Sequence, residues 1–218
     1  MDYVIIPAYK EAKNIGQVLN NTLKHISVHQ IIVVDDGSKD DTTAIAQKHG
    51  VTALRHNVNL GKGAALKTGC DYAITHHATN IVVMDADGQH DPAQIPAFLN
   101  LLKTNDIIFG KRKITKNMPF IFRFGNTFIN LVLRVLYGVK IEDSQCGYRS
   151  FRASVYPKIR WHVTDYFMET EMIVNAGKAK LTHTQYPIET IYGDRYKGTT
   201  VIDGVKIVLK MIAWRVFR

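Results

Sequence analysis

The chain has 218 residues, of which 46% are hydrophobic and 22% charged, and such proportions are typical of a single soluble globular domain. No window contains the ~18 uncharged apolar residues that a membrane-spanning helix requires, and Cys70 and Cys146 have no spacing that would indicate a disulfide framework. We therefore expect one domain over residues 1–218 in a reduced, cytoplasmic compartment.

The formal net charge of +9 is concentrated in two segments. Residues 107–141 contain seven basic side chains and no acidic one, and residues 204–218 contain four basic side chains and no acidic one. A local excess of positive charge predicts an anionic partner. Nucleic acid, a phosphorylated substrate and an acidic membrane surface are the candidates.

The first half of the chain alternates predicted strands and helices. The strands are expected at residues 2–6, 30–34, 51–55, 80–84 and 106–109, and the helices run to about residue 24, to about residue 48, over 61–76 and over 92–103. This alternation of strands and helices predicts an α/β fold with a mostly parallel central sheet flanked by helices. Ligands of such sheets bind beyond the carboxyl ends of the strands.

The second half has a different pattern. Residues 118–139 form a long apolar and cationic segment, residues 180–192 have strand character with a bend at Pro187, and residues 201–218 form a predicted amphipathic helix with apolar residues at Val205, Val208, Leu209 and Ile212. The segment 118–139 could bind a lipid phosphate, or it could be a core helix whose arginines reach the solvent.

Two aspartates, Asp85 and Asp87, directly follow the predicted strand 80–84, and a turn at Gly88 can bring Gln89 beside them. Mg²⁺ prefers oxygen ligands and is often held by one or two carboxylates while substrate phosphates complete its coordination. The pattern therefore predicts a site for a metal and a diphosphate. The alternative is a turn whose aspartates only cap the next helix, which is the interpretation we favour for Asp91.

Acidic or aromatic side chains also follow the first two predicted strands. Asp36, in DDGS, could accept hydrogen bonds from a base or a ribose hydroxyl, and either Asp40 or Asp41 is expected to cap the next helix. In PAYKE, Tyr9 could stack on a base and Glu11 could accept a hydrogen bond from its edge. Because the carboxyl ends of parallel strands share one edge, we expect these loops to converge.

Several motifs for other chemistries are absent from the sequence. LGKGAAL lacks the first glycine and the Ser or Thr of a P-loop, and Leu66 occupies the place of the third glycine in GxGxxG. The nine histidines show no HExxH or other metal-ligand spacing.

The ordered motifs PAYKE, VVDDGS, LGKGAAL, MDADGQHDP, GKR, DSQCGYRSF, FMETEM and PIETIYGDR resemble those of family-2 inverting glycosyltransferases with the GT-A fold. The resemblance covers about residues 2–200 and is greatest for the polyprenyl-phosphate branch, which includes the dolichyl-phosphate mannosyl- and glucosyltransferases. It implies a nucleotide-diphosphate sugar donor, a polyprenyl-phosphate acceptor and Mg²⁺ or Mn²⁺. It also implies a nucleotide-sugar-binding half at 1–110, an acceptor half at 111–200 and a C-terminal amphipathic helix at 201–218.

The resemblance also implies roles for individual residues. The metal would lie on Asp87 and Gln89. The nucleotide sugar would contact Pro7, Ala8, Tyr9, Glu11, Val34, Asp36, Lys62, Asp85, Ala86, Asp87, Arg112 and Arg195. The acceptor would contact Arg123, Gln145 and Glu171, and the catalytic set would be Asp143, Arg112 and Arg123. The chain departs from the family after Arg195, where Gly198-Thr199-Thr200 stands in place of G-x-S.

The acceptor determines what the site must do. A hydroxyl acceptor needs a carboxylate base, for which Asp143, Glu169 and Glu171 are the candidates. A phosphate acceptor is already anionic and needs arginines instead, and the acid-free segment 107–141 favours this case. We therefore expect transfer to a dolichyl or undecaprenyl phosphate at the cytoplasmic membrane face. The alternative is transfer to a sugar hydroxyl in cell-envelope polysaccharide or glycolipid synthesis.

The basic C-terminal helix predicts peripheral association with an anionic membrane surface. It could instead dock on the domain or mediate self-association, and the sequence does not specify an oligomeric state. A nucleic-acid binder would also be basic but would not need three acidic loops, so we expect no nucleic-acid partner. A nucleotide-sugar sensor without turnover is the remaining alternative.

Overall fold

The structure is a computed structural model that describes residues 1–112, 120–189 and 201–217, with the side chains of 120–126, 201–205 and 216–217 excepted. It contains a seven-stranded sheet with the strand order β3-β2-β1-β4-β6-β5-β7. The strands are β1 Asp2–Ala8, β2 Ile31–Asp35, β3 Thr52–Arg55, β4 Asn80–Val83, β5 Ile107–Arg112, β6 Arg149–Arg152 and β7 His183–Ile188. The pairs β1–β2, β1–β4, β2–β3 and β5–β7 are parallel, whereas β6 runs antiparallel to both β4 and β5. The predicted mostly parallel sheet is confirmed.

Helices flank the sheet on both faces. They are α1 Ile15–Thr22, α2 Thr42–Lys48, α3 Lys62–Thr75, α4 Ile95–Leu101, α5 Phe120–Tyr137, α6 Tyr156–Ile159, α7 Met168–Lys178 and α8 Val201–Phe217. Short 3-10 turns lie at Val28–Gln30, Pro92–Gln94 and Ala153–Val155. Within the described residues, no helix is both long enough and apolar enough to cross a bilayer.

Successive side chains of β1 enter two different cores. Ile5 belongs to the cluster that contains residues of α3, α5, α7 and α8. Val4 and Ile6 belong to the cluster on the opposite face, with residues of α1, α2 and α4. Because successive residues of a strand point to opposite faces, a strand buried on both faces is a continuous apolar run. This is why the sequence pattern alone located β1, β2 and β4.

The fold differs from the sequence prediction in two places. Strand β6 was not predicted, because Arg149 and Arg152 make its four residues look unlike a buried strand. The predicted helix 92–103 begins as a 3-10 turn, and Asp91 caps it by accepting a hydrogen bond from the amide of Ala93 at 3.0 Å, as expected. At α2, Asp41 occupies the N-cap position without a side-chain capping bond, while Asp40 accepts from the amide of Thr42 at 3.3 Å.

The glycines of LGKGAAL allow a close backbone approach. A Cβ at Gly63 would lie 2.8 Å from the carbonyl carbon of Thr164 and 2.8 Å from the carbonyl oxygen of Val163. The carbonyl oxygen of Thr164 accepts from the amide of Ala64 at 3.2 Å. The indole of Trp161 donates to the carbonyl oxygen of Gly63 at 2.8 Å. These contacts join the start of α3 to the loop before α7.

Replacement of this glycine should therefore destabilise the fold. We expect Gly63→Ala to lower the free energy of unfolding by about 1–3 kcal/mol. The added methyl group would clash with the backbone of Val163 and Thr164, which cannot move aside by a rotamer change as a side chain can. Urea unfolding followed by circular dichroism measures the effect. Gly16→Ala is the matched control, since its Cβ would meet nothing closer than 3.5 Å, and it should leave stability unchanged or raise it by roughly 0.5–1 kcal/mol. Equal losses in the two variants would contradict the close-approach argument.

Candidate functional site

Three loops meet at the carboxyl-terminal edge of the sheet, where β1, β2 and β4 end. The amide of Asp36 donates to the carbonyl oxygen of Ala8 at 2.8 Å. The amide of Lys10 donates to the hydroxyl of Ser38 at 2.9 Å, and that of Glu11 to the hydroxyl of Thr42 at 3.0 Å. The expected convergence of PAYKE and DDGS at one edge is therefore present in the fold, and the DADGQ loop extends from the neighbouring strand β4.

A lysine joins this edge to helix α7. The ammonium nitrogen of Lys62 lies 2.6 Å from Oδ1 of Asp85 and 3.0 Å from Oε1 of Glu169. Burial alone would lower the pKa of Lys62, but the two carboxylates raise it above its ordinary value. Burial alone would raise the pKa of Asp85, but Lys62 lowers it to about 2. Lys62 and Asp85 are therefore both charged near neutral pH, and we refer to the contacts of Lys62 with Asp85 and Glu169 as the Lys62 bridge.

A glycine makes room for this bridge. A Cβ at Gly147 would lie 2.7 Å from Oδ2 of Asp85 and 3.0 Å from the ammonium nitrogen of Lys62. Gly147 belongs to the DSQCGYRSF motif, so that segment of the chain lies directly against the carboxylate of the DADGQ loop. Nothing in the sequence pattern alone indicates this role of Gly147.

Asp87 and Gln89 lie in the turn that follows Asp85. Gly88 takes a φ of +79°, which favours glycine, and the amide of Gln89 donates to Oδ1 of Asp87 at 3.0 Å. Burial, together with the neighbouring Asp85 carboxylate, raises the pKa of Asp87 above its ordinary value. Two carboxylates that repel each other at a partly exposed turn provide the hard oxygen donors that suit a divalent cation.

The oxygens of this turn fit a metal that a substrate helps to hold. In the part of the chain that the structure describes, no three His, Cys, Asp or Glu side chains are arranged to enclose a metal ion. Mg²⁺ usually keeps several non-protein ligands and takes only one or two carboxylates. The turn therefore fits a metal–diphosphate and does not resemble a site built entirely from protein ligands.

His90 fixes the backbone of the same loop. Its Nδ1 accepts a hydrogen bond from the amide of Asp85 at 3.0 Å, and its ring stacks on Tyr148 with the centroids 4.9 Å apart. Burial lowers the pKa of His90 to about 4, and the cations Lys62 and Arg112 contribute in the same direction. The imidazole is therefore neutral at physiological pH, which leaves Nδ1 free to accept.

Asp36 has a structural role that the sequence did not predict. Its carboxylate accepts from the amides of Leu60 at 2.9 Å and Gly61 at 2.7 Å, and a ring nitrogen of His56 lies 2.7 Å from it. These bonds hold the loop that leads to Lys62. The predicted contact of Asp36 with a base or ribose stays a prediction, and it would have to share oxygens that already accept internal hydrogen bonds.

The other nucleoside candidates lie along β1 and β2. Pro7 and Val34 are paired across the two strands and buried. Tyr9 is 41% exposed, with the ammonium of Lys10 5.0 Å from its ring centroid, so its ring is accessible to a base. Glu11 is buried and accepts from the amide group of Asn14 at 2.6 Å.

Arg112 and Asp143 form a bidentate ion pair. Nε of Arg112 donates to Oδ2 of Asp143 at 2.7 Å, and Nη2 donates to Oδ1 at 2.9 Å. Burial would raise the pKa of Asp143, but the hydrogen bonds from Arg112 lower it below its ordinary value. A carboxylate of lowered pKa is a poor proton acceptor, so Asp143 is better suited to position Arg112 than to act as a base. The amide of Gln145 also donates to Asp143, at 3.3 Å.

The two glutamates at the start of α7 are engaged as well. Glu171 accepts from the amides of His162 at 3.0 Å and Val163 at 3.1 Å, so it holds the loop before α7. Glu169 belongs to the Lys62 bridge. Among the described residues, each carboxylate that the sequence offered as a base therefore has an internal cationic or amide partner.

Arg149 supports this region, although the sequence pattern did not predict a role for it. Its buried guanidinium donates to the carbonyl oxygens of Ser144 at 2.8 Å, Cys146 at 2.9 Å and Glu169 at 2.6 Å. It thus fixes the DSQCG loop against the start of α7. The sequence offers no local signal for this role, because the strand Arg149–Arg152 contains a single apolar residue and a buried charge finds its hydrogen-bond partners only in the folded chain.

Two candidates lie beyond what the structure describes. Arg195, with the neighbouring Lys197 and the stretch 198–200, falls in the segment 190–200. Arg123 lies in the first turns of α5, but its side chain is not described.

A depression of about 900 Å³ lies at the opposite edge of the sheet, near Asp2, Asn80 and Ser154. Arg152 in its wall already donates to the carbonyl oxygens of Leu102 and Lys103 at 2.8 Å each. The depression is far from the loops that carry reactive groups, so we place the functional site at the carboxyl-terminal edge.

Comparison with known proteins identifies relatives of this chain. The sequence model described as "Glycosyl transferase family 2" matches residues 3–160. The chain is 34% identical over 237 residues to the UDP-N-acetylglucosamine–dolichyl-phosphate N-acetylglucosaminyltransferase of Methanococcus voltae, covering 96% of this chain and 94% of that protein. It is 28% identical to the polyprenol monophosphomannose synthase of Mycolicibacterium smegmatis, covering 97% and 85% of the two chains.

A solved structure has the same fold. Glucosyl-3-phosphoglycerate synthase from Mycobacterium tuberculosis, in complex with Mn²⁺, UDP-glucose and phosphoglyceric acid, superposes with a TM-score of 0.79 at 16% identity. The match covers 100% of this chain and 80% of that one. The likeness confirms the GT-A-type architecture expected from the sequence.

The neutral state of His90 gives a pH dependence that can be tested. Its folded-state pKa of about 4 is lower than the ordinary value of 6.5, so between these values the unfolded chain binds the additional proton. The free energy of unfolding should therefore fall by up to about 3 kcal/mol as the pH is lowered from 6.5 to 4. His90→Asn keeps an acceptor for the amide of Asp85 but cannot titrate, so its decline over this range should be smaller by that amount. Urea unfolding at several pH values measures both proteins, and parallel curves would contradict the assignment.

Proposed function

The chain belongs to glycosyltransferase family 2, and from this membership and its site we propose that it transfers a sugar, with inversion, from a UDP- or GDP-sugar to a polyprenyl phosphate. The choice of acceptor rests on one observation: the acidic side chains that could act as a base already have ion-pair or hydrogen-bond partners. Asp143 is paired with Arg112, Glu169 with Lys62, and Glu171 with backbone amides. A site whose candidate bases are engaged suits an acceptor that needs no base.

The donor would lie along the edge formed by β1, β2 and β4. We assign its nucleoside to Pro7, Ala8, Tyr9, Glu11, Val34 and Asp36, and its diphosphate to Lys62, Asp85, Ala86, Asp87, Arg112 and Arg195. Asp87 and Gln89 would hold a Mg²⁺ or Mn²⁺ ion, which would neutralise negative charge on the diphosphate. The Mn²⁺ and UDP-glucose bound by the mycobacterial synthase support a divalent ion with a nucleotide sugar.

The protein's own groups have a mainly electrostatic task. An oxygen of the acceptor phosphate attacks the anomeric carbon while the bond from that carbon to the diphosphate oxygen breaks, and the bonding pair leaves with the nucleoside diphosphate. No proton has to be removed, because the attacking oxygen is already anionic. Arg112 is aligned by its ion pair with Asp143 and adds positive charge where the leaving group becomes more negative.

The acceptor would lie next to Arg112. We propose that Arg123 and Gln145 contact its phosphate, with Glu171 keeping the adjoining loop in place. The names of the archaeal and mycobacterial relatives, which specify dolichyl phosphate and polyprenol, support a lipid acceptor. Residues 1–110 would then serve the donor and 111–200 the acceptor, with the enzyme peripheral on the cytoplasmic membrane face.

A transfer assay tests this function. Purified protein, Mn²⁺ and a short polyprenyl phosphate are incubated with a panel of radiolabelled UDP- and GDP-sugars. We expect label from one donor to move into the organic phase on extraction. The proposal fails if no donor labels the organic phase, and label on soluble saccharide acceptors would instead favour transfer to a sugar hydroxyl.

The metal assignment leads to a variant test. Asp87→Asn should lower kcat/KM by about 100-fold or more, because the ion loses a charged ligand at the diphosphate. Asp41→Asn is the matched control, since Asp41 is exposed and makes no capping bond, and it should remain near wild type. Similar activities for the two variants would show that Asp87 does not bind the metal.

The role of Asp143 can be separated from that of a base. If it only positions Arg112, Asp143→Asn should cost about tenfold in kcat/KM, and Arg112→Gln about 100-fold. The pH profile of kcat/KM should also keep its shape in Asp143→Asn. If Asp143 were the base, its replacement would be the more damaging one and would change the acidic side of the profile.

A further inference from the structure

Helix α5 exposes apolar side chains along one side. Phe128, Leu131 and Val135 are exposed, and Val135 is 73% exposed. They are three and four residues apart, a spacing that places them in one stripe along the helix. The other side of α5 inserts Ile129 and Leu133 into the core. The helix is therefore apolar both where it meets the domain and where it meets the solvent.

Helix α8 has the same two-sided character. Ile207 and Met211 are buried in the core, whereas Leu209 and Ile212 are exposed. The sequence pattern predicts an amphipathic helix with apolar residues at Val205, Val208, Leu209 and Ile212. In the structure, Ile207 and Met211 dock the helix, so Leu209 and Ile212 are left facing outward.

The two stripes belong to adjacent helices. The hydroxyl of Tyr137 near the end of α5 donates to the carbonyl oxygen of Met211 in α8 at 2.6 Å. Both helices bury their inner sides in the same core cluster, so their outer sides face away from the domain. We call Phe128, Leu131, Val135, Leu209 and Ile212 the apolar platform.

Cations border this platform. Arg134 on α5, and Lys206 and Arg215 on α8, are exposed. Residues 107–141 and 204–218 contain no acidic side chain. Lys210 has internal partners, because it lies 3.5 Å from the carboxylate of Asp165 and 3.6 Å from the ring centroid of Phe167. An occupant of the platform must therefore bury apolar groups and also carry negative charge.

We propose that the apolar platform docks on the surface of an anionic lipid bilayer. A second copy of the chain would bury the same apolar side chains but would bring cation against cation. A nucleic acid would neutralise the cations but would offer no apolar surface for leucine, isoleucine and valine. Acyl chains beneath anionic headgroups satisfy both requirements.

The platform is structurally connected to the candidate site. Asn130 of α5 donates to the carbonyl oxygen of Glu142 at 2.6 Å and accepts from the amide of Ser144 at 3.3 Å. These two residues flank Asp143, the partner of Arg112. A helix that lies on the membrane thus also positions the loop that aligns Arg112. This link rests on the proposed function, whereas docking itself can be measured without turnover.

Vesicle flotation tests the docking. The full chain is mixed with vesicles of phosphatidylcholine alone, or of equal parts phosphatidylcholine and phosphatidylglycerol. Wild type should float with the anionic vesicles and bind the neutral ones more weakly. Val135→Gln should weaken binding by about tenfold, because a buried valine side chain is lost from the interface. Arg134→Gln and Lys206→Gln should each cost roughly fivefold on the anionic vesicles only.

Val58→Gln is the matched control, because Val58 is 61% exposed but lies outside the platform. It should bind vesicles as wild type does, and the urea midpoints of all variants should match that of wild type. Equal binding by Val135→Gln and Val58→Gln would overturn the proposal. Sedimentation that shows a dimer dissolved by Val135→Gln, without vesicle binding, would assign the platform to a second copy and would also overturn it.

Turnover separates this inference from the proposed function. With a water-soluble short-chain polyprenyl phosphate, Val135→Gln should be as active as wild type, and it should be slower only when the acceptor is embedded in vesicles. Wild-type vesicle binding without transfer to either acceptor would refute the proposed function and leave the platform standing. Transfer to the soluble acceptor without vesicle binding would refute the platform alone.

Discussion

The ammonium of Lys62, held between the carboxylates of Asp85 and Glu169, is the interaction on which the site depends. The three groups come from the start of α3, the end of β4 and the start of α7, so one cation joins the loop assigned to the donor to a helix of the second half of the chain. A buried charge is strongly unfavourable without its partners, and this fixes each of the three side chains relative to the others. Gly147 and Gly63 provide the space that the arrangement needs.

The acidic side chains around this bridge divide into two kinds. Asp36, Asp143 and Glu171 are buried and accept hydrogen bonds that hold loops or align an arginine. Asp87 is partly exposed at a turn, and its pKa is raised by burial and by its charged neighbour. The buried carboxylates organise the site. The negative charge of Asp87, by contrast, would be stabilised by a bound cation. This difference supports transfer to an anionic acceptor with a metal on the donor side.

The sequence predicted the parts of this protein that depend on local pattern. Continuous apolar runs marked β1, β2 and β4, and the polar loops after them marked the functional edge. The sequence did not reveal β6. Its Arg149 can be buried because it donates hydrogen bonds to the carbonyl oxygens of Ser144 and Glu169, which only the fold brings to it. Nor could the sequence distinguish Asp36 and Glu171, which hold loops, from Asp87, because carboxylates differ in role only through partners that the fold brings together. For the same reason Lys62 was assigned to the donor without its bridge to Glu169.

Anomalous diffraction from a crystal of the wild-type protein grown with Mn²⁺ and UDP or GDP tests the central claim most directly. The account predicts a manganese peak bonded to the carboxylate of Asp87, with the diphosphate beside it and the nucleoside along β1 and β2. A manganese peak elsewhere on the molecule, or a nucleotide bound away from the carboxyl-terminal edge of the sheet, would contradict it.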